Sequence, residues 1–67
     1  MMVSLPDEDG KEMLVKWEHV ESVRVGRVAD TAIIRMQRMG RYYIAGCSVA
    51  AVYHHAHNAK VGNPNGV

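Results

Sequence analysis

The chain of 67 residues has one cysteine, no phenylalanine, two prolines and one tryptophan. With Cys47 alone, no intrachain disulfide can form, so bridges are excluded as a source of stability. A lone thiol fits a reducing compartment. No run of about 18 apolar residues occurs, so no helical membrane span is expected. The opening MMVSLPDEDG has neither the basic start nor the apolar middle of a secretory signal. The expected location is therefore the cytoplasm, or the host cytoplasm for a viral gene. Glycines are scattered, which excludes a phosphate-cradling loop. Acidic residues are missing altogether beyond Asp30.

That last absence makes the charge lopsided although the net charge is only +1. Residues 1–33 hold four basic and seven acidic side chains, whereas residues 34–67 hold four basic and none acidic. Such asymmetry points to an anion-binding face or to complementary contacts between copies, unless the two halves interleave in space. A core built from so short a chain is marginal on its own. Self-association is a usual supplement and needs no special residues.

What is present reads as strands followed by a helix. Met2 to Leu5 is short and apolar, and Pro6 confines it to a sheet edge. Asp7-Glu8-Asp9-Gly10 is turn chemistry, read as a turn because the third and distal ligands of a calcium loop are missing. Glu12 to Trp17 forms the return arm of a hairpin. Glu21 to Arg27 alternates, with Val23 and Val25 on one face and Ser22 and Arg24 on the other. Gly26 marks a bulge or the strand's end.

Thr31 to Arg38 follows, with Ala32, Ile34 and Met36 on one face and Ile33, Arg35 and Gln37 on the other. A tight turn at Met39-Gly40 leads to Arg41 to Ala45, where Tyr43 and Ala45 share one face and Tyr42 and Ile44 the other. Both strands are apolar on both faces, which suits one face for the core and one for a partner. Ser48 is placed to cap a helix whose apolar stripe is Val49, Val52, Tyr53 and Ala56. Lys60 suits the helix C-terminus and Gly62 ends it. The fold class is α+β: a small antiparallel sheet of four to five strands with one C-terminal helix, in the order β-β-β-β-β-α. Residues 1–61 form one domain and residues 62–67 a flexible tail.

These residues resemble the small flagellar FlbD/SwrD family. The resemblance lies in the Gly10-Lys11 hairpin, the stretch HVESVRVG, the Thr-led strand DTAIIRM, the Gly40-Arg41 turn and the run YYIAGCSVAAV that enters a serine-initiated helix. It implies the same element order and a regulatory or motility protein as partner. Glu21 to Val52 is also similar to the closing β-β-β-α part of LytTR domains, which implies a shared topology. In this chain Ala50 and Ala51, then histidines, occupy helix positions where the flagellar family carries acids.

Candidate chemistry is sparse. His54 and His57 lie three apart on the helix and could share a metal, with Cys47 or His19 as further ligands. The plainer reading is a polar helix face, and no metal or other cofactor is expected. Arg35, Arg38 and Arg41 flank the second hairpin, where guanidinium forks suit phosphate and Tyr42 or Trp17 could stack a base. The competing reading is a solvated rim. Cys47 beside Ser48 could act as a nucleophile at a helix start, but no pattern places a base beside it. Met13, Met36 and Met39 read as core or interface filler.

The expected function is a non-enzymatic regulatory or adaptor module, acting as a homo-oligomer and on a protein partner. Ile33, Ile44, Ala50, Ala51 and His54 are its expected contact residues. The alternative is a binder or sequesterer of a nucleotide or nucleic acid, through Arg35, Arg38, Arg41, Tyr42 and Trp17.

Overall fold

Alternation of apolar and polar residues commits most of the chain to half-buried strands. The computed structural model describes residues 1–37 and 40–61. The expected Met39-Gly40 turn thus falls partly, and the 62–67 tail wholly, outside the described residues. Strands β1 (Met2–Pro6) and β2 (Glu12–Lys16) form an antiparallel hairpin in which Val3 faces Val15 and Leu5 faces Met13. Its turn is held by Asp7, whose carboxylate Oδ1 accepts from the Asp9 and Lys11 amides at 2.8 and 2.9 Å. Gly10 closes the turn at φ 83°, a conformation that favours glycine. Strands β3 (Val20–Val25), β4 (Ala32–Met36) and β5 (Tyr42–Ala45) form a second antiparallel sheet in that order. Helix α1 (Val49–Val61) closes the chain.

The structure bears out the α+β class but divides the expected single sheet into a two-stranded and a three-stranded sheet. The division has two local causes. Between β2 and β3 the chain makes a 3-10 turn, Trp17–His19, rather than a hairpin. Trp17, expected to end the second strand, opens that turn and donates its amide to the Met1 carbonyl. At the other junction, β1 meets β5 only through the antiparallel bridge Asp7–Ala45. Pro6 has no amide to extend a ladder, and the Asp7 amide is spent on the Lys11 carbonyl at 2.7 Å. A single interstrand bond, from the Gly46 amide to the Pro6 carbonyl at 2.8 Å, fastens this seam.

Strand limits shift as well. β4 ends at Met36, short of the expected bound, although the Gln37 amide still donates to the His19 carbonyl in register with the Val20–Met36 pair. The irregularity in β3 lies between Val20 and Ser22 rather than at Gly26, which follows the strand's end. That bulge has a packing reason. Val20 and Val23 are an odd number apart, and the extra residue lets both face the core.

The core draws on every layer. Val3, Leu5 and Val15 come from the hairpin, Ala32, Ile34 and Ala45 from the second sheet, and Val52 and Ala56 from the helix. Full burial of each larger side chain stabilises the fold by about 1.5–3 kcal/mol. Ser48 caps the helix as expected, its hydroxyl accepting from the Ala51 amide at 3.1 Å. The helical stripe holds at Val52 and Ala56, while Tyr53 turns outward and meets Trp17 edge-on at 5.9 Å. Helix α1, packed mainly on β1 and next on β3, and the β1-β2 hairpin together cover one face of β3-β4-β5 and leave the other open.

Candidate functional site

The open face is built by strand phase. Ile34 and Ala45 point into the core, so Ile33 and Ile44 must point out, and these two are direct cross-strand partners. Arg24 pairs with Ile33 from the other side, and Ser22 pairs with Arg35, which in turn pairs with Tyr42. Two rows therefore cross the sheet: Ile44, Ile33, Arg24 and, beside it, Tyr42, Arg35, Ser22. The bulge at Val20–Ser22 sets this phase for β3; an uninterrupted alternation from Val20 would place Ser22 and Arg24 in the core.

Loops close the two ends. After β3, the Gly26 amide donates to the Thr31 carbonyl at 3.0 Å and the Thr31 hydroxyl donates to the Val28 carbonyl at 2.6 Å. Asp30 takes a left-handed φ of 60° within this loop. The loop brings Arg27 and Val28 to the groove's rim. On the opposite side, the chain turns directly after the antiparallel bridge Asp7–Ala45, and Glu8 in that turn lines the same groove. The result is an open groove of about 680 Å³ with an apolar floor, three guanidinium groups and one carboxylate at its far edge.

Its electrostatics are uneven. Arg35 Nε lies 3.4 Å from Glu21 Oε1, an exposed pair that contributes little to stability. Arg24 and Arg27 have no carboxylate at ion-pair distance among the described residues. Tyr42 is 64% exposed and Ile44 37%, so aromatic and aliphatic surface faces water beside unpaired positive charge.

The residues expected to bind a ligand are only partly brought together. Arg35 and Tyr42 share the groove. Trp17 does not: it packs against the core on the helix side, with Tyr53 as its aromatic neighbour. Arg41 is exposed but does not line the groove, and Arg38 lies outside the described residues. Arg24 and Arg27 take their places. Nothing local in the sequence marks them; Arg24 joins Arg35 only because β3 pairs with β4. The charge halves thus interleave, with arginines from both in one site.

The expected contact residues divide in the same way. Ile33 and Ile44 lie on the open face. Ala50 and His54 are exposed and Ala51 half-buried on the helix, which packs on the opposite face, so these five residues form no single surface. His54, His55 and His57 are all exposed, and the Asn58 amide lies 3.1 Å from His54 Nε2. Among the described residues no three His, Cys, Asp or Glu side chains converge as a metal site. Cys47 is half-buried, and burial pushes its thiol's ionisation up, away from the reactive thiolate. Comparison with protein-family models, with curated proteins and with solved structures returned no match.

Proposed function

We propose that the chain is a small non-enzymatic regulatory or adaptor module that works through self-association and protein contacts, with the open face of β3-β4-β5 as its contact surface. The observation that carries this reading is the placement of Ile33, Ile44 and Tyr42 on a sheet face that the helix leaves bare. A chain of 67 residues has few large apolar side chains to spare, and these are not used in its core. The element order also suits the FlbD/SwrD resemblance, whose implied partner is a motility or regulatory protein. Two features weigh against catalysis. The Cys47 thiol is disfavoured as a nucleophile, and the Ser48 hydroxyl is engaged in capping. The cytoplasm is the setting in which a lone thiol stays reduced.

A second reading has its own observation. Arg24, Arg27 and Arg35 border one groove with Tyr42, a combination suited to the phosphate and ring of a nucleotide or a nucleic-acid strand.

One experiment separates the two. Native mass spectrometry of the untagged protein at low salt should give a multiple of the 7.5 kDa chain without bound anion. Ile44→Glu should return it to the monomer with its far-UV circular dichroism retained, since Ile44 lies outside the core. A variant mass equal to that of the parent would remove this face as the contact surface. A monomer carrying nucleotide would favour the second reading.

A further inference from the structure

The open face carries its own complement. Register places Ile44, Ile33 and Arg24 in one line across the sheet, and the turn after the Asp7–Ala45 bridge sets Glu8 in the groove at the β5 end of that line. With Glu8 the line reads acid, apolar, apolar, base, and spans about three strand spacings, or about 14 Å. Reversed and laid on itself, it matches at every position. Glu8 meets Arg24, Ile44 meets Ile33, Ile33 meets Ile44, and Arg24 meets Glu8.

We propose that the occupant of this face is a second copy of the chain, packed face to face about a two-fold axis that runs parallel to the strands between β4 and β5. This rests on the reading of the open face as the contact surface and adds its partner and geometry. A closed two-fold pair requires each residue to meet its counterpart reciprocally. Two such axes keep the strands of the two stacked sheets aligned. One crossing the strands would set Glu8 over Glu8 and Arg24 over Arg24, with like charges opposed. The one along the strands sets opposite charges together at both ends and buries the two isoleucine pairs between them. The neighbouring row agrees: Tyr42 of each copy falls over Arg35 of the other, a cation–π arrangement. Sheet twist turns the two stacks by about 30° without changing which residues meet. The small core supplies the drive, because pairing covers the apolar residues that folding leaves wet.

Charge exchange tests the geometry. Dimer dissociation constants are measured by sedimentation at low salt for the parent, Glu8→Arg, Arg24→Glu and the double variant. Each single reversal should weaken the dimer by about tenfold or more, because it sets like charges together at both ends. The double variant restores both pairs and should return to within about threefold of the parent. A double variant as weak as the singles, or singles as tight as the parent, overturns the proposal, as does a parent that stays monomeric with or without a bound anion. Circular dichroism checks each fold; should a reversal unfold the chain, Glu8→Gln and Arg24→Gln give the same comparison with smaller shifts. If Ile44→Glu dissociates an assembly that ignores the charge exchange, the face is right and this axis wrong. If neither affects the mass, both readings fail.

Discussion

Single residues in this chain mostly serve local geometry. Asp7 illustrates this: its carboxylate resembles a cation ligand in the sequence, yet two backbone amides occupy Oδ1 and fix the turn that carries Glu8. Ser48, placed by the sequence as a helix cap, is spent on the Ala51 amide. Cys47 itself is the clearest residue-scale case. Burial raises its pKa, so at neutral pH its thiol should react with an aromatic disulfide reagent more slowly than free cysteine. A rate matching free cysteine would show that the site is open. The linkage has a definite sign. A group whose folded pKa is raised leaves stability intact below the unfolded thiol's range and erodes it as pH climbs through the alkaline region.

At the scale of elements, the seam between the sheets is the exposed joint of the architecture. It holds one bridge and one interstrand amide bond. A methyl group at Gly46 would sit 2.3 Å from the Asp7 carbonyl oxygen, a backbone atom that can yield only if the seam opens. Gly46→Ala should therefore cost about 2 kcal/mol or more in urea unfolding. Gly10→Ala provides the comparison. Its φ of 83° strains any other residue, but a methyl there meets nothing within 4 Å, so the loss should stay near 1 kcal/mol. Equal losses would mean that the seam contributes no more than a strained turn does. Because Glu8 follows the seam, the same Gly46 variant should also weaken self-association.

For the whole molecule, the balance between a small core and a bare apolar face predicts that folding and association are linked. A folded dimer gains stability with concentration, so the thermal midpoint should rise as the protein is concentrated. Ile44→Glu should flatten that dependence. A midpoint independent of concentration in the parent protein would mean that the fold stands without a partner. The same balance bears on Arg24 and Arg27, which have no carboxylate at ion-pair distance among the described residues. Arg24 on β3 and Glu8 beyond β5 line the groove from opposite sides, and in the proposed dimer they meet across the two copies.

The sequence by itself determined the local elements. Period-two alternation identified β3, β4 and β5 with their faces, because a strand's phase depends only on neighbouring residues. Gly10, Pro6 and Ser48 marked a turn, an edge and a cap through backbone chemistry that acts within a few positions. The tertiary structure decided what those elements meet. The 3-10 turn at Trp17–His19 is tied at its start to the distant Met1 carbonyl, and His19 at its end accepts from the Gln37 amide. Trp17 left the arginines for Tyr53, and Arg24 and Arg27 joined Arg35, because strand order brings residues far apart in sequence to one face. Phase along one strand shows which way a side chain points; only pairing between strands determines its neighbours.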